Sequence, residues 1–158
     1  MKSTLKYLAQ NALGRLRKKP LILKENTDAE GVAHAQIQVS DIFPELGVSA
    51  SELIHISSGL VMNSDRYALA KALLSRSTDM LVTPMSIDNV EYIPQKVFIG
   101  KSDIGEFWFG YADYFQSEGI EIPASLLNMM RLHFADEKET FLVAKDKSII
   151  GLISLQQI

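Results

Sequence analysis

The apolar positions of this chain follow two different periods, and the change between them sketches a fold. Leu5, Leu8, Ala9, Ala12, Leu13 and Leu16 recur at three- and four-residue spacing, with Lys2, Lys6, Arg15, Arg17, Lys18 and Lys19 between or beyond them until Pro20. That spacing predicts an amphipathic helix over about residues 3–18, with a basic polar face. Ala33, Ala35, Ile37 and Val39 alternate instead, which predicts a strand. Ser49-Ala-Ser-Glu52 has the spacing of a capping box, in which a Ser oxygen and a Glu carboxylate satisfy two free amides at a helix start. Ser64-Asp65 introduces a further helix carrying Tyr67, Leu69, Ala70, Leu73 and Leu74. Met80-Leu-Val-Thr83 and the stretch from Val90 to Ile99 read as strands, with Pro94 placing the latter at an edge or a bulge. Pro123 sits at the first turn of a helix with Leu126, Leu127, Met130 and Phe134. Thr140-Phe-Leu-Val-Ala144 and Ser148-Ile-Ile-Gly-Leu-Ile-Ser154, joined by Lys-Asp-Lys, predict a closing β-hairpin.

The densest apolar segment fits either period. Phe107, Trp108, Phe109, Tyr111, Tyr114 and Phe115 are six of the chain's thirteen aromatic residues. As a helix, the run would start at Asp103, place Glu106 three positions later and stop at Gly119. Ile104, Phe107, Trp108, Tyr111, Tyr114 and Phe115 would then face inward and Phe109 outward. A strand would put aromatic rings on both faces. The helix is therefore the expectation, although Gly105 and Gly110 would each cost it about 1 kcal/mol.

Composition fits one globular domain over residues 1–158, with 47% hydrophobic and 22% charged residues and with residues 1–19 able to protrude. The expected class is α+β: a mostly antiparallel sheet packed with three to five helices, an N-terminal amphipathic helix and a C-terminal β-hairpin. The absence of cysteine excludes disulfides, thiolate nucleophiles and Cys-based zinc sites. No apolar run approaches the roughly 20 residues that span a bilayer, and the N-terminus lacks the apolar centre of a secretory signal. A cytoplasmic, non-transmembrane protein is expected. The net charge of −3 hides a polarity. Residues 1–24 carry seven Lys or Arg and no acid, whereas Glu25 to Asp65 holds seven acids and no Lys or Arg. These segments can attract each other within one fold or between copies.

Leu46-Gly-Val-Ser-Ala-Ser-Glu-Leu-Ile-His-Ile-Ser-Ser-Gly59, with the helix after it, resembles the helix-turn-helix of phage-repressor-like regulators. The resemblance implies DNA binding. Pro44 falls where the first helix of that motif should run, and the segment lacks the Lys and Arg that phosphate contacts require. Gly100-Lys-Ser102 is similar to the end of a nucleotide-binding P-loop, but Gln95 stands where the first glycine would be and Val97-Phe-Ile99 leaves no flexible loop. Glu52 with His55, and His133 with Asp136, have a spacing that could supply metal ligands. The same spacing arises often by chance, so no metal and no cofactor is expected. The hairpin resembles those of adenosine-nucleotide-binding CBS modules and of acetyltransferases over that segment alone. No Gly-x-Ser-x-Gly elbow is present.

The functional expectation is a small non-enzymatic protein-binding module of the immunity, chaperone or adaptor kind. Its contact surface would be aromatic and acidic: Trp108 and Phe109 with Glu106, Asp113 and Glu118. Lys18 and Lys19 would meet an anionic surface. The alternatives are a helix-turn-helix regulator and an enzyme whose site is assembled from distant residues.

Overall fold

Val97-Phe-Ile99, Phe107-Trp-Phe109 and Phe141-Leu-Val-Ala144 are apolar at consecutive rather than alternate positions. A strand built from such a run needs cover on both faces. The computed structural model, which describes residues 36–158, supplies that cover. Six strands, β1 (Ile37–Pro44), β2 (Asn89–Ile93), β3 (Val97–Ser102), β4 (Gly105–Gly110), β5 (Glu139–Lys145) and β6 (Ser148–Gln157), form one sheet in the order β1-β6-β5-β4-β3-β2. Every neighbouring pair is antiparallel. Helices α1 (Ala50–Val61) and α2 (Tyr67–Asp79) cover one face, and α3 (Ala112–Ser117) and α4 (Ala124–Ala135) the other. The class is α+β, with four helices among the described residues. The helix expected over residues 3–18, and with it Lys18 and Lys19, lies outside the described residues.

The aromatic run is not one helix. Ser102 pairs with Gly105, so Asp103 and Ile104 form the tip of a hairpin, and the run continues as β4 before α3 begins at Ala112. Phe107 and Phe109 point into the layer of α1 and α2, together with Phe98, Phe141 and Ile153. Trp108 points into the layer of α3 and α4, with Ile99, Ala144 and Phe115. Rings on both faces cost nothing in exposure because both faces are covered. Aromatic residues favour a pleated surface, and the two glycines that would weaken a helix suit a strand here. A Cβ on Gly110 would collide with the Lys96 carbonyl oxygen and lie 2.7 Å from Val97 Cα. Phe109 is 0% exposed and is not the outward residue of the helical reading.

Two more elements differ from the pattern reading. Residues 80–83 are not a strand: α2 closes at Leu81 in a left-handed conformation (φ 57°), with the Val82 amide donating to the Ser77 carbonyl at 2.8 Å. Val90 to Ile99 is two strands, because Pro94 and Gln95 make a turn closed by the Lys96 amide on the Ile93 carbonyl at 2.9 Å. The start of α1 and the closing hairpin match expectation. Ser49 Oγ accepts from the Glu52 amide at 3.0 Å, and β5 and β6 pair along their length. Residues 37–44 form a strand where a helix-turn-helix would need its first helix. Gly100-Lys-Ser102 lies within β3, not in a loop.

Candidate functional site

The β2–β3 hairpin and the start of α2 meet at one end of the sheet. Tyr92 stacks on its cross-strand partner Phe98, with centroids 4.5 Å apart and rings 26° from parallel. The Arg66 guanidinium lies over the Tyr92 ring, 5.3 Å from its centroid. Arg66 occupies the N-cap position of α2 without capping it through its side chain. Its Nε is buried and makes no hydrogen bond, with Asp65 Oδ1 at 3.5 Å as the nearby counter-charge. Tyr67, the next residue, is 69% exposed. The Gln95 amide donates to the Tyr92 hydroxyl at 3.1 Å, and Gln95 holds φ 62°, a conformation the second turn position usually gives to glycine. Leu60 and Ile87 crowd Gly100 on the same face of the sheet. The result is a guanidinium whose Nε is buried beside Asp65, an exposed phenol ring on Tyr67 and the Gln95 side chain at a hairpin tip.

A second cluster occupies the opposite face of the sheet. Trp108 Nε1 donates to Glu106 Oε2 at 2.9 Å, and the Trp108 ring meets Tyr114 edge-on with centroids 5.4 Å apart. Burial, then Glu118, Glu91 and Glu106, hold the Tyr114 phenol above its ordinary pKa. Carboxylates from β2, β4 and the end of α3 thus all act on the charge of one phenol. Of the residues singled out by sequence, Glu106, Trp108 and Glu118 come together here. Asp113 is half-buried on α3 and has its own interaction. Phe109 lies across the sheet from them, and Trp108 is only 3% exposed. Their rings form the core beneath the surface and are not themselves surface anchors.

His55 and His133, the two histidines among the described residues, do not converge. His55 on α1 holds its Nδ1 2.6 Å from the Thr83 carbonyl, while His133 on α4 lies beyond the sheet. No group of three or more acidic, histidine or cysteine side chains able to hold a metal ion occurs among the described residues. None of the described helices is long and apolar enough to cross a membrane. Neither spacing nor periodicity marks Arg66, Tyr67, Tyr92 and Gln95 as one group. Pro94 was the available signal, since proline favours the first corner of a turn and would have split the strand into a hairpin.

No protein-family model matches the chain, and no curated protein matches it. Solved structures do. A zinc-transporting PIB-type ATPase superposes with TM-score 0.66 and 15% identity, over 77% of this chain and 19% of that one. The N-domain of a copper-transporting P-type ATPase superposes with TM-score 0.60 and 12% identity, over 77% of this chain and 99% of the domain. The catalytic domain of a CPx-ATPase, studied for conformational changes upon nucleotide binding, superposes with TM-score 0.50 and 11% identity, over 78% of this chain and 38% of that one. The chain thus spans about a fifth of the full transporter and nearly all of the isolated domain. Its described part has the fold of a P-type ATPase N-domain.

Proposed function

We propose that this chain is a nucleotide-binding module of the N-domain kind, holding its ligand at Arg66, Tyr67, Tyr92 and Gln95. The observation that carries the reading is the match to an isolated N-domain along 99% of that domain's length. Nucleotide binding by the related catalytic domain adds support. The site has suitable chemistry. The Arg66 guanidinium suits phosphate, since planar N–H donors match its oxygens in pairs. The exposed Tyr67 ring offers a stacking surface for a base. The module would bind and present the nucleotide, leaving any chemistry to groups outside it. A cytoplasmic address follows from that ligand. Calorimetric titration with ATP tests the reading: saturable binding is expected, weakened by more than about 1 kcal/mol in Arg66→Ala and in Tyr67→Ala. Absence of binding to the folded protein at millimolar ATP would sink it.

A second reading keeps a protein partner. The carboxylates of Glu91, Glu106 and Glu118 around Tyr114 suit a cationic side chain, which would be drawn by charge and seated on the ring. Affinity for such a partner should fall steeply with salt and be lost in Glu91→Lys/Glu118→Lys. Unchanged affinity in that double variant would dismiss this surface. Lys18 and Lys19 remain proposed contacts to an anionic surface, tested by binding to anionic vesicles after their replacement by glutamine.

A further inference from the structure

A β-bulge turns one acidic residue of β1 to the face where its partners are. Val39 pairs with Leu155 and points into the layer of α1 and α2. Simple alternation would return Asp41 to that same apolar layer. The register instead skips Ser40, so that Asp41 pairs with Ser154 and faces α4. Ser40 Oγ donates to the Ser154 carbonyl at 3.1 Å and ties the bulge to β6. Ser154 pairs in turn with Thr140 of β5, so Asp41, Ser154 and Thr140 make a polar row across three strands. His133, from the last turn of α4 and 8% exposed, lies over this row. Its Nδ1 is 2.7 Å from Ser154 Oγ and 3.8 Å from Asp41 Oδ2, and Phe43 meets its ring edge-on at 5.2 Å. Lys138 Nζ reaches the same Asp41 oxygen at 3.0 Å. Thr140 Oγ1 is buried and has no partner.

We propose that His133, Ser154, Thr140, Asp41 and Lys138 form a proton-operated latch between α4 and the edge strand β1, closed while His133 is neutral. In the closed state the Ser154 hydroxyl donates to Nδ1, and Asp41 is held by Lys138. When His133 takes a proton from solvent, Nδ1 becomes a donor and Ser154 Oγ must accept. The Ser154 hydroxyl proton then needs a new acceptor, and Thr140 Oγ1 is the unpartnered oxygen in the next position of the row. No proton is lost in the exchange. The new charge sits in a largely apolar layer beside Lys138, with Asp41 and the helix-capping Asp136 opposing that penalty. Ser154 and Thr140 present no charge from β6 and β5. Burial is the larger effect and holds the His133 pKa below its ordinary value. Acid therefore loosens the seam.

Hydrogen exchange followed by NMR tests the latch. After correction for intrinsic exchange, amides of β1 and α4 should lose protection between about pH 7.5 and about pH 5.5 in the wild type, and keep it in His133→Gln. The isosteric Thr140→Val should shift the His133 titration to lower pH, because the charged form loses its relay acceptor. Equal protection at both pH values in the wild type, or the same loss in His133→Gln, would overturn the latch. An unmoved His133 midpoint in Thr140→Val would overturn the relay.

Discussion

Phe109→Ala separates core from contact surface at the aromatic run. The ring is fully buried, stacked on Phe141 with centroids 4.8 Å apart and 11° from parallel, and tilted against Phe98 at 6.3 Å. Returning such a side chain to water forfeits about 1.5–3 kcal/mol of transfer free energy. The cavity left under α1 and α2 raises the total to about 3–5 kcal/mol, because a sheet clamped between two helical layers collapses poorly around a void. A domain of this size has about 5–15 kcal/mol in all, so a large share of its stability is at stake. Equilibrium urea unfolding should show the midpoint falling by roughly 1.5–2.5 M, for a slope near 2 kcal/mol/M. Tyr114→Ala, whose ring is half-buried at the surface, should lose less. A Phe109→Ala loss under about 1 kcal/mol, or weakened partner binding at an unchanged midpoint, would refute the packing described for β4.

Three further outcomes follow from single features. Gly110→Ala should destabilise by about 2 kcal/mol or more, since its methyl group would press on the β3 backbone at Lys96 and Val97, measured by the same unfolding assay. Leu81→Gly should stabilise by about 0.5–1 kcal/mol, because Leu81 is 93% exposed and holds a left-handed φ at the end of α2. Stability should decline on acidification. His133 has a folded pKa lowered chiefly by burial, so its contribution is full above about 6.5 and is lost as pH falls from there through the folded value. Asp41 adds a second, more acidic loss: burial raises its pKa, but the Lys138 hydrogen bond, the polar Ser40 beside it and the charges of Lys138 and His133 lower it overall. Unfolding midpoints across pH in the wild type and in His133→Gln should show the first step only in the wild type.

The elements legible in the sequence were those whose signal is local. Ser49 and Glu52 mark the start of α1 because a cap is a contact between neighbours along the chain, and the β5–β6 hairpin declares itself through two apolar runs and a charged turn. The aromatic run misled because its periodicity depends on what covers it: Phe107 and Trp108 point to opposite faces, and a core lies on each. Its consecutive apolar positions were the sign of a strand covered on both faces. The candidate site was hidden for a related reason. Arg66 and Tyr92 meet only because β2 pairs with β3 at the sheet edge near the start of α2, a contact across 26 positions that no spacing records. Glu91, Glu106 and Glu118 likewise act on Tyr114 from three separate elements, so sequence proximity showed an acidic rim but omitted Glu91.

The nucleotide site proposed for this N-domain fold lies at the start of α2 and the β2–β3 hairpin. The most direct measurement is an NMR titration of the full chain with ATP, following backbone amides and the Arg66 side-chain Nε–H. Saturable shifts concentrated at Arg66, Tyr67, Tyr92 and Gln95 are the expected result. A folded protein whose spectrum stays unchanged at millimolar ATP, or whose shifts gather on the Tyr114 face instead, would contradict it.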